Sequence, residues 1–227
     1  DIIKSGYHCL MEDRVNDVLV TAPSGTIFSK PSGKVLEEFI YASQLARTSC
    51  ENQFLAMSLL KYSPDINDID CIYIDTASIS AIAEALIYYI TKFCNQNCKH
   101  VRYTSFSSYS GVEKSKPGNE KGAWVVISAS ATTSMGKNIV KDWNVSPSQV
   151  VTILSYRKVL TSTEINNGDA VVFSVEEYSK RDDKSWSPTK VQVQGENFSA
   201  ELSKPNQVLI KLAHKPDSIH KSIHPYY

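Results

Sequence analysis

Twice along this chain a short apolar, β-prone run leads into a hydroxyl-rich turn and then into a helical apolar period. The first run is Cys71-Ile72-Tyr73-Ile74, followed by Asp75-Thr76-Ala77-Ser78 and then Ile79, Ile82, Ala83, Leu86, Ile87 and Ile90 at i, i+3, i+4 spacing. The second is Ala123-Trp124-Val125-Val126-Ile127, a turn over residues 128–136, and a helix through Lys141. Residues 101–106 and 150–154 read as further strands. Strands that alternate with helices at this rhythm predict an α/β fold, a parallel sheet flanked by helices. The apolar strand runs agree, because a parallel strand is buried on both faces. Ser78 is the expected N-cap of the first helix, with Glu84 in its first two turns.

Composition narrows the function. The 227 residues are 42% hydrophobic and 21% charged, as in an ordinary folded protein. Basic and acidic residues number 24 each, so the chain lacks the strongly basic balance of a nucleic-acid-binding domain. No apolar run approaches the ~18 residues of a membrane span, and no signal-peptide pattern is present. The cysteines Cys9, Cys50, Cys71, Cys94 and Cys98 are odd in number and scattered, unlike a secreted disulfide framework. The expected setting is cytoplasmic. Cys94, Cys98 and His100 lack a second ligand cluster at zinc spacing, and His220 and His224 precede Pro225 near the terminus, so no metal site is expected.

Elsewhere the pattern is less regular. Residues 1–24 mix polar and apolar positions around a short apolar patch of Val15, Val18, Leu19 and Val20. Residues 25–34 read as a turn-rich hairpin or loop. Residues 35–60 read as helical, with Leu36, Phe39 and Ile40 in one amphipathic stretch and Phe54, Leu55 and Leu59 in a second. Residues 107–122 are polar and rich in Gly, Lys and Ser, and predict a long mobile loop. After residue 156 the strand candidates 170–175, 191–193 and 208–210 are separated by polar turns. The expected division is an α/β domain over 1–156 and a β-rich C-terminal appendage over 157–227.

The turn at 128–136 carries the chemistry. Strand, hydroxyl-rich turn and helix together hold phosphate, because backbone N–H groups converge at the helix N-terminus and its dipole favours an anion. Ser128, Ser130, Thr132, Thr133 and Ser134 supply hydroxyls, Gly136 follows them, and Lys137 adds charge. No Walker-type glycine-lysine pattern is present. On spacing alone, a plain hydroxyl-rich βα turn reads equally well.

Residues 125–136 resemble the phosphoribosyl pyrophosphate motif of type I phosphoribosyltransferases. There an apolar strand leads to two acidic residues, two variable ones, a Thr-Thr pair and small residues. The resemblance places Thr132, Thr133, Ser134 and Gly136 in a 5′-phosphate cradle, and Ser128 and Ala129 where the family carries its carboxylates. It also implies a pyrophosphate loop at Asp75, Thr76, Ala77 and Ser78, and a flexible catalytic loop at 107–122. The segment 28–34 is similar to the N-terminal Ser-Gly-Lys segment of the orotate branch, and the whole resemblance spans about residues 25–156. Neutral Ser128 and Ala129 cannot accept charge-assisted bonds from ribose hydroxyls or anchor Mg²⁺, so Mg²⁺ binding is weakened. Ile127-Ser128-Ala129-Ser130 is similar to the loop of noncanonical members from bacterial stress and antiphage-defence systems.

Three functions follow from the resemblance and the residues. The first is binding of a nucleotide or phosphosugar, in a stress or antiviral defence setting. The second is an active transferase or N-glycosidic hydrolase acting on nucleotides, with Glu113, Lys114, Lys116 and Asp75 supplying charge or acid–base function. The third is a scaffold that binds a protein partner or a second copy of the chain, through the β-rich tail with Trp186, Tyr226 and Tyr227.

Overall fold

The computed structural model describes residues 2–23, 25–29, 35–93, 100–107, 111–156, 170–179, 189–194 and 197–200. The chain opens with α1 (Ile2–Val18), a helix kinked at Arg14, where φ is −135° and ψ 16°. Tyr7, Met11 and Val18 recur on one side of it and are buried. Gly6 is there for a close approach: any Cβ would meet the Phe54 ring. The kink interrupts the period, which is why residues 1–24 show only a short apolar patch in sequence.

Short strands follow: β1 (Leu19–Thr21), β2 (Thr26–Ser29), β3 (Val35–Leu36) and β4 (Glu38–Ile40). The sequence predicts helix from residue 35, and the structure corrects this. Leu19, Val20 and Thr21 pair with Ile40, Phe39 and Glu38 in an antiparallel ladder, and β2 pairs with β3 as a hairpin. Val35, Phe39 and Ile40 favour strand, and a ladder partner decides the matter. The helix begins only at α2 (Ser49–Leu60), after a 3-10 turn at Ala42–Leu45. Thr48 and Glu51 form its capping box, a Thr-x-x-Glu signature that marks the true start.

Next come β5 (Cys71–Ile74), α3 (Ser80–Phe93), β6 (Arg102–Ser105), β7 (Ala123–Ser130), α4 (Ser134–Trp143), β8 (Val150–Ser155) and β9 (Ala170–Ser174). The five strands are parallel, in the spatial order β6-β5-β7-β8-β9. This is the α/β sheet flanked by helices that the sequence predicts. Side chains alternate faces along each strand. Ile72, Ile74, Trp124, Val126, Val151 and Ile153 pack with α1, α2 and α3, while Tyr73, Val125, Ile127 and Val150 pack with Met135, Ile139 and Trp143 of α4. The sheet is doubly wound.

The C-terminal strands depart from the expected division. Residues 170–174 do not start an appendage: β9 pairs in parallel with β8, and Ala170, Val171, Val172 and Phe173 are all buried. A boundary after residue 156 runs through the sheet. A strand buried on both faces must lie in a covered sheet rather than in a small exposed one. Beyond it, β10 (Thr189–Gln194) pairs in parallel with β2 and antiparallel with β11 (Asn197–Ala200). The C-terminal strands are thereby woven onto the N-terminal hairpin. The strand expected at 208–210 lies outside the described residues.

Candidate functional site

In a doubly wound sheet, ligands bind at the carboxyl ends of the strands where the winding reverses. Here β5 leads outward to β6, and the chain then crosses back to β7, so the reversal lies between β5 and β7. Both sequence-predicted loops meet at that point. Asp75 follows β5 directly, and Ser128 lies on β7 past its last ladder partner on β5, where Ile74 pairs with Val126. The Asp75 side chain continues the ladder. Its Oδ1 accepts the Ser128 backbone N–H at 2.8 Å, and its Oδ2 accepts the Ser128 hydroxyl at 2.8 Å. Asp75 and Ser128 are both buried. Ser128 therefore serves the seam between strands, with its two donors turned to Asp75 rather than to a ligand. The 3-10 turn at Ala42–Leu45 packs over β7 and over the 3-10 turn at Ala77–Ile79, covering this seam.

The residues expected to form a phosphate cradle sit one step further along. The strand runs three residues past the predicted end, through Ser130, and the helix starts at Ser134 rather than beyond Gly136. Only residues 131–133 form the turn, so Gly136 lies inside the first helical turn and is buried. Thr133 is the N-cap in the left-handed region, at φ 55° and ψ 14°, with no side-chain capping bond. A buried β-branched residue in that region is a strained backbone position, of a kind that clusters at ligand sites. Thr132 is exposed and its hydroxyl donates to Ser134 Oγ at 3.0 Å. Met135 and Gly136 carry N–H groups in the first turn, where a helix offers no acceptor of its own. The Lys137 N–H is instead bonded to Thr133 O at 3.3 Å, and its side chain is exposed. Ser130 is buried beside Ser155, which pairs in turn with Ser174, so three serines stand in register across β7, β8 and β9.

The loop after β5 is arranged differently from the expectation that Ser78 caps the helix. Thr76 caps the 3-10 turn, with its Oγ1 accepting the Ser78 N–H at 3.4 Å and lying 3.1 Å from Ser78 Oγ. Ala77 and Ser78 are exposed. Below the loop, burial pushes the Tyr73 phenol up to about 12 and raises the Cys71 thiol.

The polar stretch 107–122 is no free loop over residues 111–122. Trp143 Nε1 donates to Val112 O at 2.7 Å, and Gln149 Nε2 donates to Glu120 O and Ala123 O, each at 2.7 Å. Val112 and Pro117 are buried, which composition did not reveal. Glu113 and Lys114 are exposed, and Lys116 lies 3.9 Å from Glu120.

Two clusters escaped the sequence reading. Glu38 is buried in β4, and its Oε1 accepts both the Tyr156 hydroxyl and the Ser179 hydroxyl at 2.8 Å. His8 on α1 has Nδ1 2.7 Å from the Tyr178 hydroxyl and 3.2 Å from Glu177 Oε1. Their members stand more than a hundred residues apart, so no local signal links them.

An Mg²⁺ site does not fit the residues at the sheet crest. Ser128 and Ala129 bring no carboxylate, and the buried Asp75 carboxylate is bonded through both oxygens to Ser128. His100 is exposed, while Cys94, Cys98, His220, His224, Trp186, Tyr226, Tyr227 and most of the segment 28–34 lie outside the described residues. Among the described residues no helix is long and apolar enough to cross a membrane.

No family model and no curated protein matches the chain. Among solved structures it is similar to the orotate phosphoribosyltransferase from Aeropyrum pernix, at 11% identity and a TM-score of 0.46, with 75% of this chain and 94% of that one covered.

Proposed function

We propose that the chain binds a small phosphorylated metabolite, a nucleotide or phosphosugar, at the turn between β7 and α4. The observation that supports this most is Thr133 in the left-handed region between a parallel strand and a helix N-terminus. That geometry brings first-turn N–H groups and the Thr132 and Ser134 hydroxyls to one place, beside the exposed Lys137. The resemblance of residues 125–136 to the phosphoribosyl pyrophosphate motif names the ligand class. It also carries the stress or defence setting, as an extension of the same proposal.

Binding is favoured over turnover, because the acid at the crest is held by Ser128 and Glu113, Lys114 and Lys116 lie in an exposed segment. Isothermal titration with ribose 5-phosphate and the nucleoside monophosphates tests the reading. Binding should weaken about tenfold in Thr132→Val/Ser134→Ala, the loss of one or two hydroxyl contacts. Absence of heat from every one of these compounds refutes it, and so does turnover of phosphoribosyl pyrophosphate with a free base, which favours the transferase reading.

A further inference from the structure

On the far side of the sheet from β6 lies a cavity of about 680 Å³, between α1, the end of α2 and the C-terminal half of β9. Its floor is apolar, from Ile3, Val172 and the edge of Phe173, whose ring is stacked on Tyr7 with centroids 5.1 Å apart. His8 lines the wall. Its Nδ1 is engaged by Tyr178 and Glu177, and its Nε2 has no partner among the described residues. With Nδ1 taken by these two side chains, Nε2 is the ring nitrogen left to meet a ligand in the cavity. The Phe173 ring meets the imidazole edge-on, at a centroid distance of 5.1 Å, so the imidazole is held rather than free to rotate.

Lys4, Lys61, Glu176 and Glu177 also line the cavity, and all four are exposed. Two ammonium groups, one fixed ring nitrogen and an apolar floor form a set that none of these features makes alone. We propose that this cavity binds a small anion carried on an apolar ring that also bears a hydrogen-bonding N–H or O–H group. The anionic group goes to Lys4 and Lys61, the ring to Val172 and Ile3, and the hydrogen-bonding group to His8 Nε2. The volume suits a molecule of one or two rings. This site is separate from the turn between β7 and α4, and neither proposal depends on the other.

The test follows the imidazole itself. Long-range proton–nitrogen spectra of the full chain are recorded while 4-hydroxybenzoate or adenosine 5′-monophosphate is titrated in, one supplying a carboxylate and the other a phosphate. The His8 ring signals, identified by their loss in His8→Gln, should move saturably with at least one probe. Movement with 4-hydroxybenzoate alone supports a carboxylate ligand, and movement with the nucleotide alone a phosphate ligand. Lys4→Ala/Lys61→Ala should weaken that binding about tenfold, as expected for two solvent-facing charge contacts. Both lysines are exposed, so this variant keeps the fold. Thr132→Val/Ser134→Ala should leave the His8 response unchanged. His8 signals unmoved by both probes, or equal binding by the double lysine variant, overturns the proposal.

Discussion

Replacing Asp75 tests the seam between β5 and β7 directly. The wild-type carboxylate accepts two bonds at 2.8 Å, one from the Ser128 N–H and one from its hydroxyl, in a buried position. Bonds to a charged partner contribute about 1.5–3 kcal/mol each, and a stranded buried donor costs about 1–3 kcal/mol. Asp75→Ala removes both acceptors and strands the Ser128 N–H, because β5 has already ended. The hydroxyl can turn elsewhere. The expected loss is therefore about 2–4 kcal/mol. Asp75→Asn keeps one carbonyl oxygen for the N–H and offers an amide that the rotating hydroxyl can accept, so it should cost about half as much. Ser128→Ala removes one bond and leaves the backbone one, so it should cost the least, about 1 kcal/mol. Urea unfolding reads all three as shifts in midpoint at constant slope. The double variant Asp75→Ala/Ser128→Ala should fall short of the summed single effects, since both remove the same hydroxyl bond. Asp75→Ala within about 0.5 kcal/mol of wild type would refute the reasoning, because that is the scatter of an unremarkable surface change.

Three further outcomes follow from the structure. Glu51 is held at about 2, below its ordinary 4.5, chiefly by its hydrogen bond from Arg14. A lowered folded value means stability present above about pH 4.5 and lost as pH falls toward 2. Glu51→Gln should flatten that acid limb, by about 1 kcal/mol for a partly exposed pair, in urea midpoints measured across it. Trp143→Phe keeps the contacts with Tyr73 and Phe106 but deletes the bond to Val112 O, so limited proteolysis within residues 111–122 should speed up while the core stays folded. Asn144 ends α4 in the left-handed region at φ 57°, and its amide reaches Glu120 at 3.1 Å. Asn144→Ala should cost about 1–2 kcal/mol in thermal unfolding, since alanine is poorly accommodated there.

The central units were legible because their signals are local. The apolar run 71–74, its hydroxyl turn and the i, i+3, i+4 series from Ile79 to Ile90 stand within twenty residues, and the unit around 123–141 is as compact. The parallel sheet follows from burial on both faces, and the turn before α4 from hydroxyls beside a helix start. What sequence could not decide was partnership. Residues 35–40 carry apolar spacing compatible with helix, and only pairing with residues 19–21 makes them strand. Residues 170–174 look like a tail strand until β8 supplies an edge. Ser128 reads as a ligand hydroxyl until Asp75, fifty-three positions away, takes both its donors. Likewise, His8 has meaning only beside Glu177 and Tyr178. Local periodicity determines which elements form, because it sets which face each can bury. Which side chains meet is decided by closing the sheet, a long-range event that leaves no period in the chain.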